Sequence, residues 1–195
     1  VYLNNFAVPH RPLAERLPAG RAVEFRDAMR DFIEDLQVAV PAAFESEEYQ
    51  ARRAAIEQAF AQKQEEVFRK LQENASQKGI AVIRTPAGFT LAPVREGKVV
   101  KPEVYARLPK VEQEEIERNI EMLEQELQAG LRQIPAWDKD RRNHTRRLNQ
   151  ETARGAVGHL IEEIRGQFAD LPRILEHLSR IEADLVDNIG FLLAQ

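Results

Sequence analysis

Cysteine is absent from the 195 residues, which removes disulfides, thiolate nucleophiles and cysteine-built zinc sites together. Aromatic residues are scarce at 7%, with a single tryptophan, so a core must be assembled mainly from Leu, Ile, Val and Ala. Glycine and proline number only 9 and 10. No apolar run approaches the roughly 18 residues that a bilayer span needs, and no signal-peptide pattern opens the chain, so no membrane partner is expected. A net charge of −4 is too mild for an acidic tail or a nucleic-acid glove. These absences together predict a cytoplasmic protein. The chain opens on Val1, and VYLNNF reads as a strand or as the end of something already under way, so a segment of a longer protein is expected.

What is present favours helix. Hydrophobic residues make up 43% and charged residues 31%, with Ala, Glu, Leu, Arg and Gln, the strong helix formers, prominent. The expected fold class is mainly α: long antiparallel helices forming a coiled-coil-like bundle or arm, with a small β-hairpin element. Four segments follow. Residues 1–20 form an irregular lead-in from a preceding module, broken by Pro9, Pro12 and Pro18. Residues 21–79 are helical. A first helix from Ala19 or Arg21 to about Val40 turns Val23, Phe25, Met29, Phe32, Ile33 and Leu36 inward. Pro41 breaks or restarts it, and a longer helix of about 50 Å runs from about Phe44 to Lys78, stopped by Gly79. Residues 80–108 hold a small β element, with a hairpin signal at Thr85-Pro86-Ala87-Gly88 and a short third strand near Gly97 to Lys101.

Residues 109–195 read as a helical hairpin or bundle. Ile116, Ile120, Leu123, Leu127, Leu131 and Ile134 recur at heptad steps, and Pro135 ends that helix. A second helix runs from about Asp138 to Phe168. After Pro172, the residues Ile174, Leu178, Ile181, Leu185, Ile189 and Leu192 repeat the rhythm. Seven glutamates between Glu112 and Glu126 precede Pro135, and Arg141, Arg142, Arg146, Arg147 and Arg154 follow it. A chain folded back at Pro135 lays the acidic stretch beside the basic one. Exposed pairs contribute only about 0–1 kcal/mol each, so such pairing sets register more than stability.

Signatures of enzyme chemistry are missing. Gly97-Lys98 lacks the earlier glycine and the following Ser or Thr of a phosphate loop. Gly155 and Gly158 are not a dinucleotide fingerprint and read as small residues allowing close helix packing. The four histidines, His10, His144, His159 and His177, include no pair spaced for zinc on a helix, nor the Glu-x-x-His of a di-iron bundle. His159 with Glu162 and Glu163 reads as a surface pair. Ser46 reads as a helix cap, and neither Ser76 nor Ser179 has a nucleophile's setting. The expectation is therefore no catalytic, no cofactor-binding and no metal-binding residue. Arg141 to Arg147 is the one basic cluster. Phosphate contact is the weaker reading for it, neutralisation by the glutamate-rich arm the stronger, and a nucleic-acid partner is not expected.

The segment VYLNNFAVPHRPLAERLPAG, continued by EFRDAMRDFIEDLQVAVPAAFESEEY, resembles the C-type Lon-like peptidases and their ATP-dependent relatives. Asn4-Asn5-Phe6 and Leu17-Pro18-Ala19-Gly20 match a pattern leading out of a nucleotide-binding module. Phe44-Glu45 with Tyr49 resembles the opening of the family's major coiled-coil helix, and Asp187-Asn188-Ile189-Gly190-Phe191 its close. The resemblance implies a non-catalytic helical region of a self-compartmentalising peptidase. Its Ser–Lys dyad and nucleotide-binding motifs would lie elsewhere, ATP use would be a property of the parent, and the parent would assemble as a homo-oligomeric hexamer. It also implies unfolded protein substrates, admitted or gated by the helical region. Apolar side chains at the arm tips or in the β element, Phe89, Leu91 and Trp137, are the candidates for gripping them, against the plainer reading that each is buried. The alternative is a coiled-coil scaffold unrelated to proteolysis, pairing through the seam from Ile116 to Ile134.

Overall fold

The computed structural model describes residues 1–85 and 88–193, with the backbone alone for 191 and 192. The elements run β1 (Tyr2–Leu3), β2 (Leu13–Ala14), α1 (Arg21–Glu45), α2 (Glu47–Gln77), β3 (Ile80–Thr85), β4 (Gly88–Arg95), β5 (Lys98–Val99), α3 (Pro102–Tyr105), α4 (Lys110–Gln167), α5 (Pro172–Asp187) and α6 (Ile189–Leu192). The fold is mainly α, with two small antiparallel sheets, β1-β2 and β3-β4-β5. Two compact units are formed, one from residues 1–55 with 143–195 and the other from residues 56–142. Helices α2 and α4 supply residues to both. Among the described residues, no helix is long and apolar enough to cross a membrane.

Two expected breaks do not occur. α1 runs through Pro41 to Glu45, and α4 runs through Pro135 from Lys110 to Gln167. A proline inside a helix removes one hydrogen bond and clashes with a carbonyl, at a cost of about 3 kcal/mol. At Pro41 the helix buries Val40 and Phe44 on either side, and each contributes about 1.5–3 kcal/mol, enough to offset that cost. The actual boundary is Ser46, whose extended backbone (ψ 145°) separates α1 from α2. Its Oγ accepts the Tyr49 N–H at 3.3 Å and donates to the Ala43 carbonyl at 2.7 Å, the capping role expected of it. Gln50 covers a further α1 carbonyl, that of Phe44, at 2.8 Å.

In the unit built from residues 1–55 and 143–195, α1 lies antiparallel to the end of α4. Phe25 meets Phe168 edge-on at 5.3 Å. The Arg21 guanidinium sits 4.6 Å above the Phe168 ring and donates to the Gln167 carbonyl at 2.9 Å and to Asp170 at 2.7 Å. One side chain thereby satisfies a carbonyl at the C-terminal end of α4 and ties it to the start of α1. Phe25, Phe32 and Leu36 are buried as expected, whereas Val23 and Ile33 are each 52% exposed. The second seam is buried at Ile174, Leu178 and Ile189; Leu192 lies outside the described side chains. The close packing expected at Gly155 and Gly158 is absent: a methyl on Gly155 would meet open space, and one on Gly158 only Glu182 at 3.7 Å.

In the other unit, α2 and α4 run antiparallel. Asn74 donates to Glu126 at 2.6 Å, Gly130 faces Val67 and Arg141 donates to Glu57 at 3.0 Å. The helix–helix close approach is here: a methyl on Gly130 would lie 3.1 Å from Val67 Cγ1. α2 thus offers a partner on both sides of Pro135, and α4 continues along it. The hairpin at Pro135 is thereby overturned, and with it the pairing of the glutamate-rich arm with the arginines. Arg141 pairs with Glu57 and Asp138, and Arg142 with Asp138. The first seam is internal at its middle: Leu123 and Leu127 are buried with Leu71, Ala75 and Ile80.

Candidate functional site

α2 ends at Gln77, and Gly79, at φ 67°, reverses the chain into β3, a left-handed conformation open to glycine at little cost. The Gly79 carbonyl then accepts the Val94 N–H at 2.7 Å, fixing where β4 returns. The register places Val82 opposite Leu91 and Arg84 opposite Phe89. Side chains alternate across a strand, so these four share one face, while Ala81, Ile83, Thr90 and Ala92 take the other. Val82, Phe89 and Leu91 pack against the core, and Phe89 stacks on Phe68 of α2, with centroids 4.9 Å apart and rings 27° from parallel. Pro86 and Ala87, the centre of the expected hairpin turn, lie outside the described residues.

This arrangement leaves a groove of about 650 Å³. It is lined by Phe68, Val82 and Phe89, by Leu131 and Ile134 of α4, and by Arg84 and Glu65, one charge of each sign. Leu131 is 37% exposed, so part of the first seam faces this groove instead of the core. The groove offers stacked aromatic faces, aliphatic side chains and one charge of each sign. Among the described residues, no group of three or more His, Asp or Glu side chains could hold a metal ion.

Of the three side chains named from the sequence, Phe89 lines the groove, Leu91 is half-buried against the core, and Trp137 is half-buried on α4 away from the groove lining. Leu131 and Ile134 were read only as seam residues; their heptad spacing marked them as apolar without marking that the stripe outruns its partner, and the apolar Phe68 of α2 was not singled out. His10 and His144 are exposed, and His159 faces Glu163 at 3.7 Å as a surface pair. Ser179 spans Arg165 and the Leu175 carbonyl.

The other unit carries two further depressions. One, of about 690 Å³, is lined by Tyr2, Phe25, Met29 and Ile33 together with the charged Arg26, Arg30 and Glu34. The second, about 390 Å³, lies between α1 and α4 and is acidic, with Asp27, Asp31, Asp35 and Glu163.

Several residues that carried the family resemblance make structural contacts. Asn5 Oδ1 accepts the Ala7 and Val8 N–H groups at 3.2 Å each, and its Nδ2 donates to the Arg11 carbonyl at 2.9 Å, shaping the loop between β1 and β2. Gly20 (φ 87°) precedes α1. Phe44 and Tyr49 pack at 4.8 Å, and the Tyr49 hydroxyl donates to Asn149 at 2.9 Å. Phe191 lies outside the described side chains. In comparison with known families, residues 1–32 match the model described as the Lon-like LonC helical domain. That stretch includes Asn4-Asn5-Phe6 and Leu17-Pro18-Ala19-Gly20, but neither Phe44, Tyr49 nor the stretch from Asp187. Among curated proteins none matches the sequence. The opening of the chain, through the first half of α1, is thus supported as a Lon-related helical region.

Proposed function

We propose that this chain is a non-catalytic helical region of a Lon-like serine peptidase, and that it takes part in admitting unfolded polypeptide through the groove of Phe68, Phe89, Val82, Leu131 and Ile134. The observation that carries the reading is the match of residues 1–32 to the Lon-like LonC helical domain. The groove supports it from a second direction: its aromatic and aliphatic lining offers contact to apolar side chains of varied shape, as a surface for unfolded substrates requires. In the parent, a homo-oligomeric ring of such regions would face the substrate at the chamber entrance. ATP use would belong to other modules.

The test uses fluorescein-labelled, reduced and carboxymethylated α-lactalbumin, a permanently unfolded polypeptide. Fluorescence anisotropy with the intact chain is expected to report binding that Leu131→Glu weakens at least tenfold while circular dichroism is unchanged. Native α-lactalbumin should not compete. Equal affinity for the native and unfolded forms, or a loss on Ile33→Glu and none on Leu131→Glu, would refute this site.

A further inference from the structure

Among the described residues, His177 is the one polar or charged side chain that is buried, with 8% exposure. It lies on α5, three residues after Ile174 and one before Leu178, on the helix's buried face. Its Nδ1 has no hydrogen-bond partner. What covers it is the opening of the chain. The imidazole rests against the Phe6 ring, with centroids 5.8 Å apart. A small cavity of about 160 Å³ separates the β1-β2 ribbon, through Leu3, Leu13, Ala14 and Glu15, from Arg173, Glu176, His177 and Arg180 of α5.

The charges facing this cavity are already committed. Arg173 lies 3.6 Å from Glu15, and Arg180 lies 2.6 Å from Glu176. No carboxylate is left over to stabilise an imidazolium there. Burial first, and the nearby Arg180 second, hold the His177 pKa below its ordinary value, because both penalise the charged form.

The cover itself is lightly held. Within residues 1–15 only Leu3 is buried, and the ribbon pairs just two residues from each strand. Its loop amides are held by Asn5, by Val8 O and by Val1 O, which accepts the Glu15 N–H at 2.9 Å. An element with so few buried contacts opens at far lower free energy than the helices beneath it. Opening it brings water to Nδ1 and restores an ordinary imidazole.

We propose that His177 is a pH-sensitive latch for the N-terminal ribbon: the neutral imidazole keeps residues 1–15 docked on α5, and protonation releases them. The linkage sign follows from the depressed pKa of the docked state. Docking is fully present above the free imidazole value of about 6.5 and is lost as pH falls through the docked value. Each unit between the two values corresponds to a tenfold change in the docking constant. The latch is independent of the groove described above.

Hydrogen exchange of the full chain at pH 7.5 and pH 5.0, corrected for intrinsic rates, reads the latch directly. Protection at Val8, Arg11 and Glu15 is expected to fall at least fivefold at the lower pH, and by a larger factor than at Ile161 and Leu178. In His177→Phe, which keeps an apolar ring and cannot titrate, the two pH values should give equal protection in the ribbon. Proton NMR should show one imidazole, absent from that variant, titrating below about 6.5. The proposal is overturned if ribbon protection is the same at both pH values, if His177→Phe retains the loss, or if the His177 resonance titrates at or above the free value. Should His177→Phe fail to fold, Phe6→Ala supplies the second arm: ribbon protection low at both pH values and a His177 resonance shifted up to the free value, with no upward shift overturning the proposal.

Discussion

Replacing Pro135 by alanine should stabilise the protein, although the sequence alone suggests the reverse. In a helix interior proline is about 3 kcal/mol worse than alanine, because it lacks the N–H and crowds the preceding turn. Here the carbonyl left without its partner is that of Leu131, four residues earlier. Pro135 is exposed, so its removal sacrifices no buried surface. One opposing effect remains: proline stiffens the unfolded chain, and losing it costs about 0.4–1 kcal/mol. The net expectation is about 2 kcal/mol of stabilisation, or about 4–8 °C in melting temperature for a chain of this size. Thermal unfolding followed by circular dichroism at 222 nm measures it. Pro135→Gly supplies an internal scale, since glycine in a helix is about 1 kcal/mol worse than alanine and should therefore gain roughly half as much. If Pro135 instead marked a turn between two helices, alanine would lower the melting temperature and glycine would equal or exceed alanine. Either result would refute the continuous α4.

Three further expectations concern the cores and the buried histidine. Leu123 is completely buried, so Leu123→Ala should cost about 2–5 kcal/mol, and Leu123→Asp should unfold the chain without changing an oligomeric state, as sedimentation and circular dichroism together would show; dissociation of a folded species would revive the scaffold alternative. Gly130→Ala sets a helix-propensity gain of about 1 kcal/mol against the 3.1 Å approach to Val67, so the gain should be larger in a Val67→Ala background, and a cycle with no coupling would contradict the close contact. Because the His177 pKa is depressed in the folded protein, the unfolded state binds more protons near pH 6, and stability should fall as pH drops from 7.5 to 5; His177→Phe should flatten that part of the urea-unfolding profile, and an unchanged slope would assign it to other groups.

Periodicity made much of this fold legible. The heptad steps of Ile174 and Leu178 and of Leu123 and Leu127 predict buried faces, and Gly79 predicts the end of α2. What escaped were outcomes settled by a distant partner. Pro41 and Pro135 carry local penalties visible in the chain, but the offsetting burial of Val40 and Phe44 and the continuity of α2 alongside α4 are not local. Glycine spacing drew attention to Gly155 and Gly158, whereas the close approach falls at Gly130, where α2 happens to present Val67. The clustering of opposite charges about Pro135 suggested a fold-back, yet Glu57 of α2 takes Arg141 instead. Within the candidate site, Phe89 was readable as a β residue among helices. The stacking partner Phe68 and the wall of Leu131 and Ile134 depend on where a seam outlasts its partner, which spacing does not encode. His177 did carry a signal, a histidine at the i+3 step of an apolar face, that could have marked it as buried.

The most direct test of the central claim is site-specific photocrosslinking to reduced, carboxymethylated α-lactalbumin, with p-benzoylphenylalanine placed in turn at Leu131, Arg84 and Ile83. Arg84 and Leu131 line the groove, while Ile83, 36% exposed, lies on the opposite face of the same strand. Crosslinks at 131 and 84 that greatly exceed those at 83 are the predicted result. Equal yields at all three positions, or none at 131 and 84, would contradict an unfolded-chain site in this groove.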